Sequence, residues 1–391
     1  MKIYPTWLLI LLAFAPDQVL FCQTQTLSSS DFSFTIQSSV LEEPRTFDVS
    51  LPSSYEGDSY YKDKHYPVVV LLDGPRLAPM FEQVLTNLSH PSVEKIPEMI
   101  LVSVHNTNRT QDLLPFYDAW VEREGTLNFR TFLSEELLPE IDRRFRTLPS
   151  RLLVGHSHAG LFTLNAFLQE APFQAFIAID PNFLHQEKGL NKFLEHSLES
   201  SKALRGRVYI AKADNPFQPG FKETPIGLAT QEFANLLARL PQQNVTSHLQ
   251  WFEEEDHFSV PMIASYHGLR HVYRDYIYPL DKMVELKRAT LKDYYAEISQ
   301  GLGKGILPPA KVMHQIAEFL LHNQEREDLA LLVLQFLHES YPTAHPVMIG
   351  LGEILSTQGK HKEAKQLFSK ALELDPGNQY ALTGLEMLPQ E

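Results

Sequence analysis

Two periods of apolar residues divide the first 280 positions of the chain. Short apolar runs occur at Pro67 to Leu72, Met99 to Val104, Ala175 to Ile179, Arg207 to Ala211 and Ser247 to Phe252. Runs of this length, bounded by polar and turn residues, predict strands buried on both faces, as in a parallel sheet. Between them apolar residues recur at three- and four-residue spacing. Helices are predicted over Ala78 to Leu88, through Phe129, Leu133, Leu137 and Ile141, through Phe233, Leu236, Leu237 and Leu240, and from about Ile263 to Tyr278. Ahead of these, Phe32, Phe34 and Ile36 alternate with polar residues, and so do Phe47, Val49 and Leu51. That pattern predicts a β-hairpin entering the sheet. Strands alternating with helices predict an α/β architecture with a mostly parallel sheet and helices on both faces.

From residue 282 the periodicity is helical only. Gly301, Gly303, Gly305, Pro308 and Pro309 mark a linker, so the sequence divides into a sheet domain at 30–281, a helix and Gly/Pro linker at 282–310, and helical repeats at 311–391. Within 345–378, Leu351, Gly352, Gly359, Ala364, Phe368, Ala371 and Pro376 follow the tetratricopeptide pattern. One period earlier, Leu321, Ala330, Leu334, Leu337 and Pro342 form a degenerate copy. Two repeats bury little surface by themselves, so this unit is expected to pack on the sheet domain.

The chemistry centres on Arg151 to Leu164, RLLVGHSHAGLFTL. An apolar strand runs into a sharp turn with Ser157 at its apex, and a helical pattern follows. A nucleophile elbow needs this layout, with small residues two before and two after the serine; Gly155 and Ala159 supply them. His257, after the last apolar strand, is the expected base. Asp214, at the end of the strand at 207–211, is the expected acid, with Asp180 one strand earlier as its rival. The order serine, acid, histidine is that of α/β-hydrolases. The oxyanion hole is expected from the backbone amides of His158 and Gly74, although the adjoining Pro75 has no N–H to offer. Arg109, in a polar loop at a strand end, is the candidate for substrate binding. His156 and His158 flank the serine on opposite sides of the turn and predict no metal site; no cofactor motif is present.

Composition narrows the class. The 391 residues carry a net charge of -14, which argues against a nucleic-acid partner. Lys2 followed by apolar Trp7 to Ala15 reads as a signal peptide over 1–22, which leaves no transmembrane segment in the mature chain. Cys22 is the only cysteine, a weak lipidation candidate, and no disulfide framework exists. Together these predict a periplasmic or secreted protein stabilised by its core.

Residues 30–280 resemble the putative esterase family of α/β-hydrolases that includes enterochelin (siderophore) esterases and esterase D-like proteins. The resemblance rests on Glu43, Arg45, Val49, Leu51 and Pro52; on Leu72-Asp73-Gly74; and on Asn108-Arg109 with Asp112-Leu113 and Pro115. It continues through Glu136 to Pro139 with Phe145, Arg146 and Thr147, then Gly155-His156-Ser157, Asp180-Pro181, and His257 with Ser259, Val260, Pro261, Gly268 and Leu269. It implies a serine ester hydrolase acting on a small-molecule ester, with Ser157 and His257 catalytic, and it leaves the acid open. Two further readings stand beside it. One is a degenerate hydrolase fold that binds a protein partner through the repeats; the other is an acyltransferase.

Overall fold

The computed structural model describes residues 31–56, 64–115, 122–183, 189–200, 202–217, 220–241, 244–279, 282, 287–322 and 326–389. The expected signal peptide and Cys22 lie outside the described residues. β1 (Phe32–Gln37) and β2 (Pro44–Ser50) form the expected hairpin, with Phe34 opposite Phe47. β3 (Tyr66–Leu71) leads into α1 (Gly74–Ser89), and β4 (Ile100–Val104) into the short helix α2 (Arg109–Leu113). α1 starts earlier than the expected Ala78, because Pro75 in its first turn has a preset φ and lacks only an N–H that no intrahelical bond needs.

The amphipathic stretch around Phe129 is a helix in two pieces. α3 (Glu124–Thr131) and α4 (Leu138–Arg144) are joined by a π-helical segment at Phe132–Leu137. There the Leu138 N–H reaches the Leu133 carbonyl, one step before Pro139, which cannot donate.

The second half repeats strand and helix: β5 (Thr147–His156), α5 (His158–Leu168), β6 (Ala175–Ile179), α6 (Gly189–Glu199), β7 (Gly206–Ala213), α7 (Pro225–Leu237), β8 (Val245–Phe252) and α8 (Val260–Val272). The eight strands form one sheet in the order β1-β2-β4-β3-β5-β6-β7-β8. β2 pairs antiparallel with β1 and β4; every pair from β4 to β8 is parallel. This is the mostly parallel sheet that the alternation predicts, and the fold of an α/β-hydrolase that the resemblance implies. Successive strand residues point to opposite faces. Val69, Leu71, Leu152, Val154 and Ile177 therefore join α1 and α8 in one core, while Val68, Val70, Leu153, Phe176 and Ala178 join α3, α5 and α7 in the other.

The remaining helices are α9 (Arg288–Leu302), α10 (Ala310–His322), α11 (Glu327–Ser340), α12 (His345–Thr357), α13 (His361–Leu374) and α14 (Gln379–Glu386). The stretch expected as a linker is packed into the molecule. Leu291, Tyr295, Ile298, Leu302 and Ile306 belong to the same buried core as β3 and β5. Gly303 has φ 103°, and a Cβ there would lie 2.5 Å from the Pro149 carbonyl oxygen. Ser150 Oγ donates to the Leu302 carbonyl, Tyr295 Oη donates to the Tyr276 carbonyl at 3.1 Å, and the Val312 N–H donates to Glu94 at 2.7 Å. α10, α11 and part of α12 extend this core; Ala364, Phe368, Ala371 and Ala381 form a smaller one with Met348 and Leu355. Gly352 leaves room for the Phe368 ring, which a Cβ would approach to 2.6 Å.

Candidate active site

The site is built at the carboxyl ends of the parallel strands. β5 delivers three buried residues, Leu152, Leu153 and Val154, and the chain then reverses into α5. Ser157 caps that helix with φ 63° and ψ -118°, a conformation that a non-glycine residue holds only when its surroundings impose it. They do so here by close packing. A Cβ on Gly155 would lie 2.2 Å from the Ala159 carbonyl oxygen, and one on Gly160 would lie 3.0 Å from the Ile179 carbonyl oxygen. The Ser157 N–H donates to the Ile179 carbonyl at 2.9 Å, which ties the turn to β6. His158 is the first residue of α5, so its amide lies at the positive end of that helix.

A second helix terminus stands beside it. β3 neighbours β5 in the sheet, and Gly74 opens α1 just after β3. Asp73 caps α1 with φ 56°. Arg109 donates to both Asp73 oxygens at 2.8 Å and to the His156 carbonyl at 3.1 Å, while Asn106 also donates to Asp73. Burial opposes the Asp73 charge, but the bonds and charge of Arg109 outweigh it and hold the carboxyl below its usual range. Arg109, expected to meet substrate, therefore rivets the β3–α1 turn to the end of β5.

His257 lies in the turn between β8 and α8. Its Nδ1–H donates to Asp180 Oδ2 at 2.5 Å. Asp180 follows β6, the strand next to β5, so the turn carrying His257 folds back across the end of β7. Asp180 is buried, with 2% of its side chain exposed, and its other oxygen accepts from Lys212 Nζ and from the Ala213 N–H at 3.2 Å. Burial pushes the Asp180 carboxyl up, but His257 and Lys212 together leave it below the ordinary value. Asp214, the carboxylate expected beside His257, pairs instead with Lys222 at 3.2 Å. Its strand, β7, is one further from the serine, and Asp180 occupies the place at the imidazole.

Several supporting residues have roles that no local pattern in the sequence assigns, although His156 and Ser259 lie among the positions of the family resemblance. His156 Nε2–H donates to the His257 carbonyl at 2.8 Å, and its Nδ1 accepts from Arg76 at 2.7 Å. Burial, then the neighbouring His257 and Arg76, lowers the His156 pKa to about 3, so this imidazole stays neutral. Asp256 accepts from the Phe258 and Ser259 N–H groups at 2.7 and 3.0 Å, and Ser259 Oγ accepts from the Asp256 N–H at 2.9 Å. These local bonds fix the backbone on both sides of His257. His156, Asp180 and His257 each offer a metal-ligating atom within 4.8 Å of the others. Arg76 and Lys212 already place cations on that set, so its chemistry fits a hydrogen-bonded network rather than a metal cage.

Residues 38–177 match the putative esterase family model. The matched segment contains Ser157 and ends before Asp180 and His257. Residues 346–378 match the tetratricopeptide repeat model, over α12 and α13. The ferri-bacillibactin esterase BesA of Bacillus subtilis is 30% identical over 149 residues, 37% of this chain; the match spans about half, 51%, of that relative. The crystal structure of an IroE-like serine hydrolase from Shewanella oneidensis superposes with a TM-score of 0.67 at 26% identity, covering 79% of this chain and 99% of that one. An uncharacterised protein from Capnocytophaga ochracea superposes with a TM-score of 0.61 over 87% of this chain and 93% of that one; at 17% identity this is a likeness of fold. A share of 79% of 391 residues exceeds the stretch up to residue 279, so the first of these likenesses runs past the sheet into the helices packed on it. Among the described residues no helix is long and apolar enough to cross a membrane.

Proposed function

We propose that this protein is a serine hydrolase of carboxylic esters. The observation that carries the reading is Ser157 at the strained apex between β5 and α5, with the His257–Asp180 pair supplied by strands of the same sheet. In this mechanism Ser157 Oγ attacks the ester carbonyl while His257 Nε2 takes its proton. Asp180 holds the Nδ1–H tautomer and stabilises the imidazolium that forms. The oxyanion lies toward the amides of His158 and Gly74, at the N-terminal ends of α5 and α1. Pro75 follows Gly74 in the first turn of α1, where its missing N–H takes nothing from the Gly74 amide. His257 then passes the proton to the departing alkoxide. Water, activated by the same imidazole, releases the acid from the acyl-serine.

The charges around the site favour a neutral ester over a polyanionic ferric siderophore. Arg109 is committed to Asp73, and Glu253, Glu254, Glu255 and Asp256 lead into His257. The relative named for ferri-bacillibactin makes siderophore esters the comparison substrate to test. We place the mature chain outside the cytoplasm on the signal-peptide pattern at 1–22, and assign the α12–α14 surface to a protein partner on the repeat match. The test is turnover of short- and medium-chain p-nitrophenyl esters by the chain and by Ser157→Ala, with labelling by a fluorophosphonate. Serine-dependent turnover and labelling are expected, with a loss of at least ~10³-fold in the variant. Equal rates in both proteins refute the mechanism; a folded chain that neither turns over nor labels favours the scaffold reading.

A further inference from the structure

The edge of the sheet farthest from the hairpin carries a second candidate site. β8 is the edge strand, and α8 packs on β6 and β7 more than on β8, which leaves an opening beside β8. The opening is a cavity of about 410 Å³ between β7, β8, the C-terminal half of α8 and Lys95. Its lining includes Lys95, Arg270 and Arg274, together with His248, His267 and His271, and among the described residues no carboxylate, in a chain whose net charge is -14. Among the ion pairs formed by these cations, Arg274 meets Asp275 at 3.6 Å, and Asp275 is shared with Arg207.

Hydrogen bonding reinforces the charge. Tyr209 Oη donates to Gln250 Oε1 at 2.7 Å, which occupies the amide's acceptor and leaves its NH₂ group as the donating end. Arg274 can only donate, so the contact of 3.3 Å with His271 Nε2 makes that nitrogen the acceptor and places the ring proton on Nδ1. The rings of His248 and His271 stack 5.0 Å apart. Burial, then Arg274 and its neighbours, lowers the His271 pKa to about 4, so it enters this array as a neutral donor. A cavity walled largely by donors and cations, with the acceptors of Gln250 and His271 used internally, is complementary to oxygen anions.

We propose that this cavity binds a small multiply charged oxyanion, of the phosphate-ester or polycarboxylate class. The site is separate from the ester chemistry. His257 precedes the first turn of α8, whereas the cavity is lined from near its last turn, about 15 Å away along the axis.

The test is calorimetric titration of the full chain at low salt with inorganic phosphate and, separately, with citrate. Saturable binding of at least one, at millimolar or lower concentration, is expected. Arg270→Gln/Arg274→Gln should weaken it about tenfold or more while leaving p-nitrophenyl ester turnover and circular dichroism unchanged. Lys95→Gln, on an exposed loop, provides a second variant with the same expectation should the double variant fold poorly. Binding of phosphate alone assigns phosphate esters, and binding of citrate alone assigns polycarboxylates. Absence of binding by both anions, or binding undiminished in the variants, overturns the proposal. The readout is binding, so it stands whether or not the chain hydrolyses esters.

Discussion

Replacing Lys212 by Met tests how the charge behind His257 is held. Lys212 is 3% exposed and Asp180 2%, and the lysine ammonium sits on Asp180 Oδ1 while Oδ2 serves His257. Methionine keeps most of the apolar stem and deletes the charge, which also lies 5.2 Å from the centre of the Phe221 ring. Two unit charges about 3 Å apart attract by roughly 5 kcal/mol at an effective dielectric of 20. Removing one partner of a buried pair costs about 3–5 kcal/mol, because the other charge stays desolvated. The expected loss is therefore about 3–5 kcal/mol in urea unfolding at pH 7, or roughly 4–6 °C in Tm for a chain of this length.

Asp180→Asn should cost less than Lys212→Met when placed on the Met background, since an amide needs no counter-charge there. A double-mutant cycle should give a coupling of at least ~1 kcal/mol. The sign of the pH dependence follows from the same pair. The Asp180 carboxyl lies below its ordinary value in the folded chain, so it contributes stability above the unfolded carboxylate pKa, and that contribution is lost as pH falls through the folded value. Without Lys212 the folded value rises, and the loss begins at higher pH. A Lys212→Met chain as stable as the parent within ~1 kcal/mol, or fully additive with Asp180→Asn, would refute the argument.

Other expectations follow from the geometry. Asp180→Asn should reduce kcat by up to ~10⁴-fold, as a wrong imidazole tautomer does, whereas Asp214→Asn should leave kcat within a few-fold; equal losses would reverse the assignment of the acid. Gly155→Val should unfold the elbow or cost at least ~3 kcal/mol, read as a lowered Tm, because its first side-chain carbon would meet the Ala159 carbonyl at 2.2 Å. Ending the chain at residue 287 should give an unstable, aggregating sheet domain, since Leu291, Tyr295, Ile298 and Leu302 leave its core uncovered; a soluble, cooperative unfolding transition in that fragment would show the helices to be dispensable.

What the sequence determined by itself was local. Leu152 to Val154 read as an interior strand, and small Gly155 and Ala159 mark Ser157 as the apex of the turn, because the sterics of the elbow act within a few residues. Strand alternation settled the two-sided sheet for the same reason, and the repeat at 345–378 was legible in its small and large residues. The choice of carboxylate was not local. Asp180 and Asp214 both follow apolar strands; only the strand order and the fold of the 253–259 turn over β7 bring Asp180, with Lys212 behind it, to the imidazole. Arg109 likewise reads as a substrate ligand in the sequence, whereas Asp73, 36 residues away, accepts from two nitrogens of its guanidinium. The stretch with Gly303 read as a linker because glycine signals freedom along the chain, yet here it is glycine because β5 packs against it. Contacts between segments far apart in sequence decide which charges are neutralised and which backbones meet, and these become readable only once the sheet has brought the segments together.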